Sequence, residues 1–118
     1  MIPGGTDAVI STSRPVELME LAVRWLFTHW KNAVVSSSSG NRTWCAQNYY
    51  EIPFGLSDEL FVFSSVADFA ASEADPDKLN YLHLLRRDNE LTVVMASDST
   101  EGPALVDTLK NTKFPEAA

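Results

Sequence analysis

Two histidines and one cysteine are the side chains of this 118-residue chain best suited to proton transfer or nucleophilic attack near neutral pH. A histidine base needs a nucleophile or an orienting carboxylate within hydrogen-bond reach. His29 falls where a helix should end, a position in which its cationic form would favour the helix dipole. His83 falls in NYLHLLRR, a strand-like run that puts Tyr81 and Leu85 on its own face. Neither has a suitable partner at a recognised spacing, so both are expected to be structural or superficial. Cys45 would be a nucleophile beside a histidine or at a helix N-terminus. It stands instead between Trp44 and Ala46 in a strand-like stretch, which predicts a buried, inert thiol.

The remaining patterns are incomplete. Ser36 to Ser39 with Gly40 is neither a GxSxG elbow nor a Walker loop, whose Lys-Ser/Thr is missing. Gly4-Gly5 has no strand before it to make a phosphate cradle. Glu73, Asp75 and Asp77 alternate like the start of a calcium loop, but Lys78 and Leu79 follow, and neither the glycine nor the closing glutamate is present. No His/Cys/Asp cluster has zinc spacing. Asn41-Arg42-Thr43 is a glycosylation sequon without a secretory signal in front of it, and is read as coincidence. The expectation is no catalytic residue, no metal and no cofactor.

Large rings are the more suggestive feature. Trp25, Phe27 and Trp30 crowd one segment, and Trp44, Tyr49, Tyr50 and Phe54 crowd another. A small domain has limited interior for so many rings, and aromatics left outside often mark interfaces or ligand clefts. Trp25, Trp30, Trp44, Tyr49, Tyr50 and Phe54 are therefore the candidate partner or ligand surface.

Sixteen acids against nine bases give a net charge of −7. That balance disfavours nucleic-acid binding, which draws on clustered Lys and Arg, unless Arg24, Lys31 and Arg42 form a stripe. It suits solubility, and it suits a basic protein partner. With 45% apolar and 21% charged residues, the composition is that of a globular domain. One cysteine excludes an internal disulfide, no apolar run reaches membrane-span length, and the first residues lack a basic, then apolar, leader. The expected setting is the cytoplasm, with no membrane contact.

The elements that would position these residues follow from periodicity. Residues 15–32 carry Glu17, Glu20, Arg24, Thr28 and Lys31 on one stripe and Leu18, Met19, Leu21, Ala22, Val23, Trp25, Leu26 and Trp30 around the rest. That wide apolar arc requires a sheet as its partner. Strands are expected from Ala33, over 43–52, over 59–64, and as a hairpin of 79–87 and 90–96 around Asp88-Asn89. The 59–64 strand, apolar on both faces, should be central. Short helices are expected at 66–72 and 103–111, the first seated by Ala67, Phe69 and Ala70 with Asp68 as a capping-box acid. The prediction is one α+β domain over 1–118. It has two layers, about five mostly antiparallel strands in the order α-β-β-β-α-β-β-α, and the long first helix on one sheet face. Residues 1–12 and 115–118 are expected to be flexible.

That order of elements, together with the acidity, is similar to the small dimeric class of bacterial type III secretion chaperones. The resemblance covers topology and charge, carries no sequence motif, and transfers no residue role. It implies a homodimer that binds another protein. The expected function is thus a small acidic non-catalytic protein-binding domain of inhibitor, immunity-factor or chaperone type. The alternative is a small-ligand binder or cofactor-independent enzyme with an aromatic-lined pocket between the first helix and the sheet.

Overall fold

The computed structural model describes residues 6–37, 42–71, 81–95 and 101–112. The strands are β1 (Thr6–Ser11), β2 (Val34–Ser37), β3 (Thr43–Trp44), β4 (Glu59–Phe63), β5 (Tyr81–Arg87) and β6 (Glu90–Met95). The helices are α1 (Pro15–His29), α2 (Val66–Ala71) and α3 (Gly102–Lys110), with single 3-10 turns at Tyr49–Glu51 and Phe54–Leu56. The strands form one six-stranded antiparallel sheet in the order β1-β6-β5-β4-β2-β3. The class is α+β.

Strand alternation divides the sheet into two unlike faces. Val35, Leu60, Val62, Leu82, Leu84, Leu91 and Val93 are fully buried and point to the helical side, joined there by Ile10. α1 meets them with Leu18, Met19, Ala22, Val23 and Leu26 while packing against β5, β6 and α3. α3 adds Leu105, Val106 and Leu109 and packs against β1 and β6. Each of the larger of these side chains contributes about 1.5–3 kcal/mol on leaving water. The helix is set up by Pro15 in its first turn and by the Thr12 hydroxyl, which accepts the Arg14 N–H at 3.0 Å. It stops at His29, because Trp30 leaves helical geometry while its N–H still reaches the Leu26 carbonyl.

Three expectations need correction. Among the described residues the strand count is six, because residues 6–11 form an edge strand rather than a flexible arm. TDAVIS alternates Ala8 and Ile10 toward the core with Asp7 and Val9 away from it, a pattern masked by its small polar residues. The element order is accordingly β-α-β-β-β-α-β-β-α. The 43–52 strand is only Thr43–Trp44. The Asn48 side chain accepts the Cys45 N–H at 2.8 Å, and the Asn48 N–H bonds the Cys45 carbonyl at 3.1 Å. This local turn takes the backbone groups that a longer ladder would use. Lastly, Ala67 and Ala70 are exposed and do not seat α2.

The central position of β4, the β5–β6 hairpin around Asp88-Asn89 and the inward residues of α3 are as expected. Residues 1–5 and 38–41, the side chains of Asp68 and Phe69, the carboxylates Glu73, Asp75 and Asp77, and the expected flexible end at 115–118 lie outside the described residues.

Trp30 gives a direct test of this packing, since it is only 8% exposed at the end of α1. Trp30→Ala should lose about 3–5 kcal/mol in urea unfolding, in the range for buried aromatic truncations. The oligomeric state, read by light scattering, should not change.

Candidate functional site

The six candidate aromatics separate into two groups. Trp30, Trp44 and Phe54 are buried in the core. The Arg42 guanidinium lies 5.2 Å from the Trp44 ring and covers it from outside. These three cannot form a contact surface. Trp25 and Tyr49 are half-buried, and Tyr50 is 73% exposed. Trp25 and Tyr49 come together with Leu21, Arg24, Phe27 and Thr28 around an open groove of about 370 Å³ along the flank of α1.

Helix spacing builds one wall of this groove. Leu21, Arg24, Trp25 and Thr28 fall three or four residues apart and share a stripe at the margin of the apolar arc. The 3-10 turn supplies the other wall. Phe27 packs against Tyr49 at 5.6 Å, and Tyr49 meets Tyr50 edge-on at 6.5 Å. Trp25 is held by His29, one turn on: the rings stack at 3.7 Å, and Nδ1–H of His29 donates to the Trp25 carbonyl at 2.9 Å. The groove is thus a shelf of fixed rings, and among the described residues its lining carries one cation, Arg24, and no carboxylate.

The structure also reveals a pair that the local sequence around His83 does not show. Nε2 of His83 lies 2.7 Å from Glu59 Oε1, and its ring stacks on Phe61 at 4.1 Å. A carboxylate only accepts, so Nε2 carries the proton. Burial holds the imidazole pKa below its ordinary value, against the opposing pull of Glu59 and Asp7. At neutral pH the contact is therefore a hydrogen bond from a neutral imidazole. A carboxylate–histidine pair is the orienting half of a catalytic triad. The cross-strand neighbours of His83 are Phe61 and Val94, and neither can act as a nucleophile. Register alone connects Glu59 to His83, since 24 residues separate them.

A cleft of about 430 Å³ borders Glu59 and contains Asp58, Leu85, Arg86, Arg87 and Asp88. Arg86 is committed there as a strut, donating to the carbonyls of Ser57 and Gly55 and to the Asp58 carboxylate. Cys45, expected to be buried, is exposed, because the turn at Asn48 takes it out of the ladder. It borders a shallow depression with Lys31, Asn32, Ala33, Ala46, Gln47 and Val66, and no histidine lines it. Among the described residues no group of three or more His, Cys, Asp or Glu could hold a metal ion, and no helix is long and apolar enough to cross a membrane.

No protein-family model, no characterised protein and no solved structure matches this chain. The site must be read from its own geometry.

The lowered pKa of His83 has a consequence for stability. Between its folded value and the unfolded reference of 6.5, the unfolded chain binds more protons. This group therefore adds stability above that reference and loses it as the pH falls through the folded value. His83→Gln should flatten that part of the stability–pH curve, measured by urea unfolding in steps from pH 7.5 to 5.

Proposed function

We propose that this is a small acidic, non-catalytic protein-binding domain whose contact surface is the groove between Trp25 and Tyr49. The observation that carries this reading is the groove itself: Trp25 and Tyr49, both half-buried, line it, and Tyr50, edge-on to Tyr49, is 73% exposed. Rigid aromatic side chains offer large contact area at low entropic cost, which is why they anchor protein interfaces. The groove is open and shallow, a shape suited to a side chain or short segment of another protein. The net charge of −7 favours a basic partner and would speed its approach.

The reading as an aromatic-lined ligand pocket has less support. It calls for a deep pocket in which a histidine and an acid converge. Trp30 and Trp44 are spent in the core, His29 is tied to Trp25, and the His83–Glu59 pair points to a different part of the protein.

Trp25 gives a spectroscopic readout, because Trp30 and Trp44 are buried and only Trp25 is partly open. Quenching by acrylamide should act mainly on Trp25 and should diminish when a partner binds. A partner recovered with the wild-type chain should be lost with Trp25→Ala and with Tyr50→Ala, with circular dichroism unchanged. Retention of the partner by both variants would overturn the assignment of the groove.

A further inference from the structure

We infer that the outer edge of β1 is a self-pairing surface, through which two copies of this chain join their sheets about a twofold axis at Val9. β1 ends the sheet, and its inner edge is fully engaged with β6 from Thr6 opposite Met95 to Ser11 opposite Glu90. The same register continues one residue further, where the Thr12 N–H donates to the Asn89 carbonyl at 2.9 Å. In an antiparallel ladder, alternate residues direct their N–H and C=O groups to opposite neighbours. Thr12 fixes the parity: Ala8 and Ile10 bond inward to β6, and Asp7, Val9 and Ser11 present theirs outward. Among the described residues nothing pairs with those outward groups.

The outward residues are arranged symmetrically around Val9. An antiparallel second copy centred there places Val9 opposite Val9, Asp7 opposite Ser11 and Ser11 opposite Asp7. These are three hydrogen-bonded pairs, each exchanging two bonds. Shifting the axis to Ala8 or Ile10 leaves only two such pairs within the strand. The centred register also gives each side chain a suitable neighbour. The two Val9 side chains, each 55% exposed in the single chain, become a β-branched cross-strand pair. Each Asp7 carboxylate faces a serine hydroxyl rather than another acid. A chain of net charge −7 gains from this, since like charges directly opposite would oppose pairing.

Edge strands that must stay single are usually short, charged, or interrupted by Pro or a bulge, and in β1 the one charge, Asp7, meets a serine in the centred register. β1 has six residues, none of them Lys or Pro, in an unbroken register. At the other end of the sheet, β3 has two residues. The occupant that fits β1 is therefore a second β1.

Analytical ultracentrifugation tests this on the full chain. The wild type should sediment at twice its 13.0 kDa mass. Val9→Pro removes an N–H that points away from β6, so the internal ladder remains and the species should be monomeric. Val9→Lys keeps the N–H but opposes two cations on the axis, and should raise the dimer dissociation constant several-fold, an effect that added salt reduces. Amide exchange gives a reading independent of any substitution. Protection of Asp7, Val9 and Ser11 should rise with protein concentration, while that of Ala8 and Ile10 should not. A wild type that is monomeric at about 0.5 mM, or a dimer whose Asp7, Val9 and Ser11 amides exchange freely, overturns the proposal.

Discussion

The constraint on which the structure depends is the period-two alternation of the central strands. Leu60 and Val62 on β4, Leu82 and Leu84 on β5, and Leu91 and Val93 on β6 all point to one side and are all fully buried. A slip of one residue in any of these strands would exchange that set for Phe61, His83 or Thr92. Burial thus fixes the register across the sheet, and within the β5–β6 hairpin the two-residue Asp88-Asn89 turn sets the same one. The apolar arc of α1 fits only the face that alternation creates, and α3 shares that face through β6. Everything placed by the sheet, including the His83–Glu59 pair and the outward amides of β1, inherits its position from this register.

The same constraint sorts the aromatic side chains. Trp30 and Trp44 lie where helix and strand end, so their rings turn into the interior. Trp25 sits at the margin of the arc, one turn before His29, and its ring packs against the core while staying partly open. Stacking on His29 fixes it. A ring held rigid yet partly open loses little entropy on meeting a partner. That combination of fixity and access distinguishes Trp25 and Tyr49 from the three rings spent in the core. Arg42 serves a buried ring instead, with its guanidinium 5.2 Å from the Trp44 ring centroid.

Much of the fold was legible in the sequence where periodicity was strong. The residues 15–29, 59–63, 81–87 and 90–95 carry patterns that no local polar group disturbs. The failures have local physical causes. At 43–52 the aromatic content suggested a strand, but the amide of Asn48 captured the Cys45 backbone and ended it after Trp44. At 6–11 the small polar residues suggested an arm, while Ala8 and Ile10 already held the alternation needed to pair with β6. Of the candidate surface, Tyr50 is exposed and Trp25 and Tyr49 stay partly open, because exposure depends on three-dimensional neighbours that spacing cannot give. Glu59 was missed entirely. Its relation to His83 arises from the pairing of β4 with β5, where Phe61 lies opposite His83 and Glu59 two residues away on the same face.

The two surfaces proposed for this chain do not compete for space. The groove is formed by α1 and by Tyr49, which follows β3 at the far end of the sheet from β1. α3 packs on β1 and β6, between that edge and α1. Joining two sheets through β1 would leave both grooves open and on opposite flanks of a continuous sheet. Each shallow groove alone offers limited contact area, and so limited affinity. Two grooves on one rigid body convert the second contact into an intramolecular event, which raises avidity for a partner that is itself repeated or dimeric. Edge pairing would in this way supply what the groove lacks, without adding a residue to it.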